Sequence, residues 1–386
     1  MFSRRTQWKM TPNRLSTAIA EARASGREIL DLTVSNPTRA GMIYDRAAIL
    51  DSLRTERALD YDPQPKGLLP AREAVAKYYA ERGEPVGSEH LFLTSGTSEG
   101  YSYLFRLLAN PEDEVLIPAP SYPLFEFLAD LDDVRLVPYP LIYDHGWQID
   151  LHSLANAITP RSRAIVLLHP NNPTGSYVSA KEREALNEIC SPRRLALIVD
   201  EVFLDYSHDG KRRSTFALNQ EVLTFTLSGL SKISALPQMK LAWTAVSGPE
   251  NARTEAQQRL EVIADSYLSV GAPVQWAAAS LLVQRKHIQQ QLFERTSANL
   301  FELDRQLDLE RACTRLMVEG GWYAILRVPV TRSDEDLAVK LLEGHGVLVH
   351  PGHFYNFPSD GYLVLSLIGS TAEFREGTSR LLRFLS

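Results

Sequence analysis

Cysteine is scarce in this chain: only Cys190 and Cys313 occur among 386 residues. Two thiols are too few for a disulfide framework or a thiolate zinc site, which points to a reducing compartment and to no metal centre. Charge of one sign is also lacking. Lys and Arg total 41 against 47 Asp and Glu, a net charge of -6 without a long run of either sign, so nucleic acid and anionic membrane are not expected as partners. No apolar run approaches the roughly 20 residues that a spanning helix needs. The basic residues of "MFSRRTQWKM" are not followed by the apolar core of an export signal, and a cytoplasmic location is the expectation. Internal repeats and low-complexity tracts are missing as well.

What is present is ordinary globular composition, 44% hydrophobic and 23% charged, with length enough for two domains. From about residue 90 short apolar runs alternate with helical patterns: "LFLT", "EVLIP", "RAIVLL", "LALIVD", "VLTFTLS" and "LAWTAVSG" read as buried strands. Ser179 and Glu182 form a capping-box pattern at the head of one intervening helix. Strands alternating with helices predict an α/β fold with a mostly parallel sheet covered by helices on both faces. After about residue 285 a polar helix, the strands "GGWYAILRVP", "VLVHPG" and "YLVLSLI" and two further helices predict a smaller α+β unit. The expected division is a large domain over 45–280 and a small one over 1–44 with 281–386.

Four stretches carry candidate chemistry. In "LFLTSGTSEG" a strand ends and Ser95, Gly96 and Thr97 open a helix, where unpaired amides and hydroxyls suit a phosphate, although capping alone explains Ser and Thr there. "HPNNPTG" follows the strand "RAIVLL" and sets Asn172 at the carboxyl end of the sheet, either offering its amide to a ligand or merely making a turn. Asp200 closes the apolar strand of "ALIVDEV" and needs a positive partner if it is buried. In "TLSGLSK" a buried strand runs out at Gly229 and presents Lys232. A desolvated lysine has a depressed pKa and suits imine formation with an aldehyde. An amine, a counter-charge for a ring nitrogen, a donor and a phosphate cup are together what pyridoxal phosphate requires.

In the order "SGTSE", "PSYPLFE", "NNPTG", "VDEV" and "SGLSK", from "DLTVSNPT" to the last helix, the chain resembles the fold type I pyridoxal phosphate enzymes, the aspartate aminotransferase superfamily. Its "SGTSE" and "NNPTG" are similar to the histidinol-phosphate branch. The resemblance implies pyridoxal 5'-phosphate bonded to Lys232, which also carries the substrate's α-proton. It implies Asp200 on the pyridine nitrogen, Tyr122 stacked on the ring and Asn172 on the phenolic oxygen. Ser95, Gly96, Thr97 and Ser231 would hold the phosphate, with Tyr61 reaching the site of a partner subunit in a homodimer.

Three positions depart from the family pattern. Phe203 stands where a tyrosine usually donates to the phenolic oxygen. Lys240 replaces an arginine that forks onto the phosphate, and an ammonium makes no bidentate pair. Val364 occupies the place of the arginine that grips the substrate carboxylate; either another arginine takes over, with Arg39 in "SNPTRAG" the first candidate and Arg327 in "AILRVP" the second, or the substrate lacks that carboxylate. The expected activity is an aminotransferase, passing an amino group from an amino acid to a 2-oxo acid by a ping-pong route. A lyase or decarboxylase with the same cofactor is the alternative, and a non-catalytic regulatory relative is the remote one.

Overall fold

The computed structural model describes residues 1–310 and 312–386. Its larger sheet has eight strands in the spatial order Leu91–Thr94, Ala242–Ser247, Thr224–Gly229, Ala196–Asp200, Ser162–Leu168, Glu114–Ala119, Arg135–Tyr143 and Trp147–Ile149. The five central strands from Thr224–Gly229 to Arg135–Tyr143 run parallel. Ala242–Ser247 pairs antiparallel with both of its neighbours, and Trp147–Ile149 pairs antiparallel at the other edge.

The near-continuous apolar runs follow from burial on two faces. Val115, Ile117, Val166, Ile198 and Phe225 point into one core. Leu116, Ile165, Leu167, Leu197 and Val199 point into the other. Helices Thr97–Leu108 and Glu250–Asp265 cover the first face, and Ala180–Cys190 covers part of the second. The last of these begins with the expected capping box between Ser179 and Glu182. Each fully buried aliphatic side chain contributes about 1.5–3 kcal/mol, so both layers are held strongly against the sheet.

The penultimate strand Arg135–Tyr143 was not among the expected ones. It carries Pro138 and Pro140, which argue against a central strand, yet its register beside Glu114–Ala119 accommodates both.

A second, antiparallel sheet orders Thr314–Arg315, Tyr323–Arg327, Tyr362–Ser366 and His350–Pro351. The run "VLVHPG" divides: Val347–Leu348 pairs in parallel with Leu30–Asp31, while His350–Pro351 joins the antiparallel sheet beside Tyr362–Ser366. Helices Arg14–Ala24, Asp334–His345 and Thr371–Leu385 pack around this sheet with Leu32, Ala324, Leu363 and Leu365 in their shared core. A further apolar cluster brings Ala40, Phe203, Trp322, Tyr323, Tyr355 and Val364 together between the two sheets. Among the described residues no helix is long and apolar enough to cross a membrane.

Candidate active site

The parallel strands end toward that inter-sheet cluster, the place where open α/β sheets bind ligands. Strand Thr224–Gly229 is buried throughout and gives way at once to the short helix Leu230–Ile233, which carries Ser231 and Lys232. Gly229 is required by its neighbour: a Cβ there would come within 2.8 Å of Ala242 Cβ and 3.0 Å of Ala242 Cα. The space it leaves is filled by the adjoining strand, not by a ligand.

Lys232 projects between aromatic rings. Its Nζ lies 4.7 Å from the Trp322 ring centre and 5.2 Å from that of Phe203. Burial pushes its amine down to about 8, against the opposing pull of the Asp200 carboxylate. Asp200 ends its strand one place along the sheet, and burial raises it to about 6. Its Oδ1 accepts from the Val202 amide at 3.0 Å and its Oδ2 from the Tyr101 hydroxyl at 3.3 Å. At neutral pH the two groups are an ammonium and a carboxylate held where charge is costly.

The other predicted groups arrange around this pair. Tyr122 lies within reach of the Asp200 charge, which with burial raises its phenol above the ordinary value. In "NNPTG" the two asparagines divide their work. Asn171 Oδ1 accepts from the Thr174 hydroxyl at 3.0 Å and its Nδ2 donates to the Pro120 carbonyl at 3.4 Å, fixing the turn. Asn172 keeps its side-chain oxygen buried with no partner among the described residues. The closing Gly175 takes φ of +71°, and a Cβ on it would strike the Gly320 carbonyl at 2.4 Å, so this turn admits no other residue. His169, before the turn, is structural: Nδ1 accepts from the Val178 amide and Nε2 meets the Ser214 carbonyl.

Ser95, Gly96 and Thr97 sit at the head of helix Thr97–Leu108. A Cβ on Gly96 would stand 3.2 Å from Lys240 Nζ, which puts that ammonium at the mouth of the turn. The Ser95 amide and hydroxyl donate to Glu99 Oε2 at 2.7 and 3.1 Å, and Ser269 donates to the same oxygen at 2.6 Å. Residues 7–381 match the family described as aminotransferase class I and II. The chain belongs to that family.

This aminotransferase is 27% identical over 373 residues to a glutamate-pyruvate aminotransferase, AlaA, of Haemophilus influenzae, covering 94% of this chain and 91% of that protein. It is 29% identical over 378 residues to an arginine-pyruvate transaminase, AruH, of Pseudomonas aeruginosa, with 92% and 90% covered. The solved alanine aminotransferase from Pyrococcus furiosus superposes with a TM-score of 0.89 at 21% identity, over 100% of this chain and 99% of that one. The family is one of transaminases that use pyridoxal phosphate and act on amino acids and 2-oxo acids.

Not every predicted residue meets Lys232. Tyr61 is 85% exposed and lines a cleft of about 590 Å³ with Gly67, Leu93, Tyr103, Ser269 and Trp276. That cleft lies beside the Ser95–Thr97 turn, through Ser269, and not over Lys232. Arg39 is exposed on the turn Pro37–Arg39, and its side chain makes no ion pair or hydrogen bond among the described residues. The same loop reaches the inter-sheet cluster on either side of Arg39, through Val34 and Ala40. Arg327 is placed elsewhere: it ends its strand exposed, in a hollow with Cys313, Val330 and Tyr362. It is four residues, about 13 Å, along the strand from Tyr323. Val364 is wholly buried, opposite Ile325 on one neighbour and His350 on the other.

Sequence reasoning missed Tyr101, Trp322 and Glu99. Tyr101 lies on the apolar stripe of its helix with Leu104, Phe105 and Leu108 and so reads as a core residue; its hydroxyl one turn beyond the cup was the available signal. Trp322 reads as an ordinary strand aromatic, and only the pairing of the second sheet reveals its position over Lys232.

Proposed function

We propose that this aminotransferase bonds pyridoxal 5'-phosphate to Lys232 and passes an amino group from an amino acid to a 2-oxo acid in two half-reactions. The observation that carries this reading is the Lys232–Asp200 pair, with the amine lowered and the carboxyl raised in one desolvated pocket. The residues fit the group. Asn172 has an unspent buried oxygen, and its amide can be turned to present the nitrogen. Gly96 leaves the turn beside Lys240 open, and a phosphate there would take over the Ser95 donors that now hold the Glu99 carboxylate.

When bound, the cofactor supplies an electron sink for the carbon that loses its proton. Asp200, its orientation fixed by Tyr101 and the Val202 amide, would hold the ring nitrogen protonated. Ser95, Gly96, Thr97 and Ser231 would hold the phosphate, Lys240 would add a point charge, and Tyr122 would support the ring. Phe203 supports the site by packing rather than by donating: its ring meets Trp322 edge-on at 5.1 Å. Lys232 Nζ, as a neutral amine, would take the proton from the substrate's α-carbon and hold it for return. A low pKa keeps a useful fraction of that amine neutral.

Arg39 is the residue proposed for the substrate carboxylate, because it is unengaged and adjoins Ala40 of the inter-sheet cluster. A homodimer is proposed with Tyr61 reaching the partner's phosphate, supported by the exposed phenol beside the cup. The division into 45–280 and 1–44 with 281–386 goes with this reading. An absorbance screen of the holoenzyme against common amino acids tests it: the cofactor band must convert and be restored by a 2-oxo acid. Release of ammonia with pyruvate, or of carbon dioxide, without such restoration identifies the lyase or decarboxylase alternative.

A further inference from the structure

Val364 leaves one wall of the pocket without a cation, but the wall is not without polar groups. His350 is the antiparallel partner of Val364 across the strand pair His350–Pro351 and Tyr362–Ser366. Residues directly opposite share a face, with Cβ atoms about 5 Å apart. Val364 faces the cluster that holds Phe203, Trp322, Tyr323 and Tyr355, so His350 does too. Its Nδ1 lies 3.1 Å from the Tyr355 hydroxyl. Tyr355 in turn lies 6.3 Å from Tyr323, whose ring is 6.5 Å from that of Phe203 beside Lys232.

The structure assigns the His350–Tyr355 pair as a second recognition element for the amino substrate, presenting one neutral donor to a carboxylate oxygen at the Val364 wall. This inference rests on the transamination reading and leaves the other carboxylate oxygen to Arg39. The hydrogen-bond logic holds for either tautomer. If Tyr355 donates to Nδ1, the imidazole carries its proton on Nε2 and donates from there. If Nδ1 donates to Tyr355, the phenol proton is released to point elsewhere. Burial holds His350 down at about 4, opposed by the nearby Asp31 carboxylate, so the imidazole is neutral at pH 7.

Two further donors of the surrounding residues are unspent. Trp322 Nε1 and Ser121 Oγ are both buried without a partner among the described residues. The Trp322 ring is the one over Lys232, and the Ser121 amide donates to the Tyr355 carbonyl at 2.8 Å. Buried donors without acceptors are uncommon enough to need a ligand or water. The charge of Arg295 is already engaged at this wall, on the carbonyls of Ala40, Ile368 and Gly369.

The test uses holoenzyme and two ligands: the amino acid that converts fastest, and the amine that differs from it only in lacking the α-carboxylate. His350→Phe/Tyr355→Phe removes every donor of the pair while keeping ring volume. Its KM for the amino acid should rise about three- to tenfold, with the amine and the cofactor spectrum unchanged. The single variants show which atom faces the substrate, and His350→Gln, which keeps an amide donor, should lose less than His350→Phe. Unchanged KM in the double variant, or an equal loss for acid and amine, overturns the assignment. If the wild-type enzyme converts no amino compound, the transamination reading fails. The pair is then still judged by calorimetric binding of 2-oxo acids to the same proteins, which must weaken in the double variant.

Discussion

Raising the pH on the cofactor-free protein should activate Lys232 long before any other lysine. An amine titrating at about 8 instead of the ordinary 10.5 is neutral in about one molecule in ten at pH 7, against about one in three thousand, a gain of roughly 300-fold in reactive amine. The cause is burial beneath Trp322 and Phe203, and Asp200 works against it. Removing the opposing charge must therefore lower the midpoint further, so Asp200→Asn should titrate below the wild type. The assay is the initial rate of covalent pyridoxal phosphate addition from pH 6 to 11, with borohydride fixation and peptide mapping to count only the Lys232 product. A midpoint near 10, or one that rises in Asp200→Asn, would refute the reasoning.

Three other consequences are open to measurement. Phe203→Tyr places a phenol where the ring now packs 5.2 Å from Lys232 Nζ; an added donor favours an anionic phenolic oxygen, so the bound cofactor's absorbance should titrate at a lower pH than in the wild type. No displacement of that titration would mean another group already makes the bond. Arg39→Ala should lower kcat/KM for α-amino acids by about tenfold to a hundredfold, a charge-assisted bond contributing roughly 1.5–3 kcal/mol, with Arg39→Lys recovering part of it. Equal activity in all three proteins would remove Arg39 from the site. For Asp200 the folded pKa of about 6 lies above the ordinary 3.8, so its contribution to stability is full below 3.8 and lost as pH rises through 6. Cofactor-free wild type should lose about 3 kcal/mol more than Asp200→Asn across that window, read by denaturant unfolding; parallel stability curves would contradict it.

The strands that became the sheet's middle were legible because burial on both faces writes them as unbroken apolar runs, as in Ala196–Asp200. The penultimate strand Arg135–Tyr143 was hidden by its exposure and by Pro138 and Pro140. The cup, the turn and the lysine could be read because their local chemistry is encoded in consecutive residues. The substrate wall could not. His350 and Val364 are fourteen positions apart and become neighbours only through strand pairing, and Trp322 reaches Lys232 from the second sheet. The same limit applies to Arg327, where strand alternation left the direction open and its place at the strand's far end decided it.

Borohydride reduction of the holoenzyme, followed by peptide mass analysis, tests the central claim most directly. The account predicts the reduced cofactor on the peptide carrying Lys232 and on no other. Lys232→Ala should bind the cofactor without any fixed product. Fixation on Lys240, 3.2 Å from where a Gly96 Cβ would lie, or on any other lysine, would contradict it.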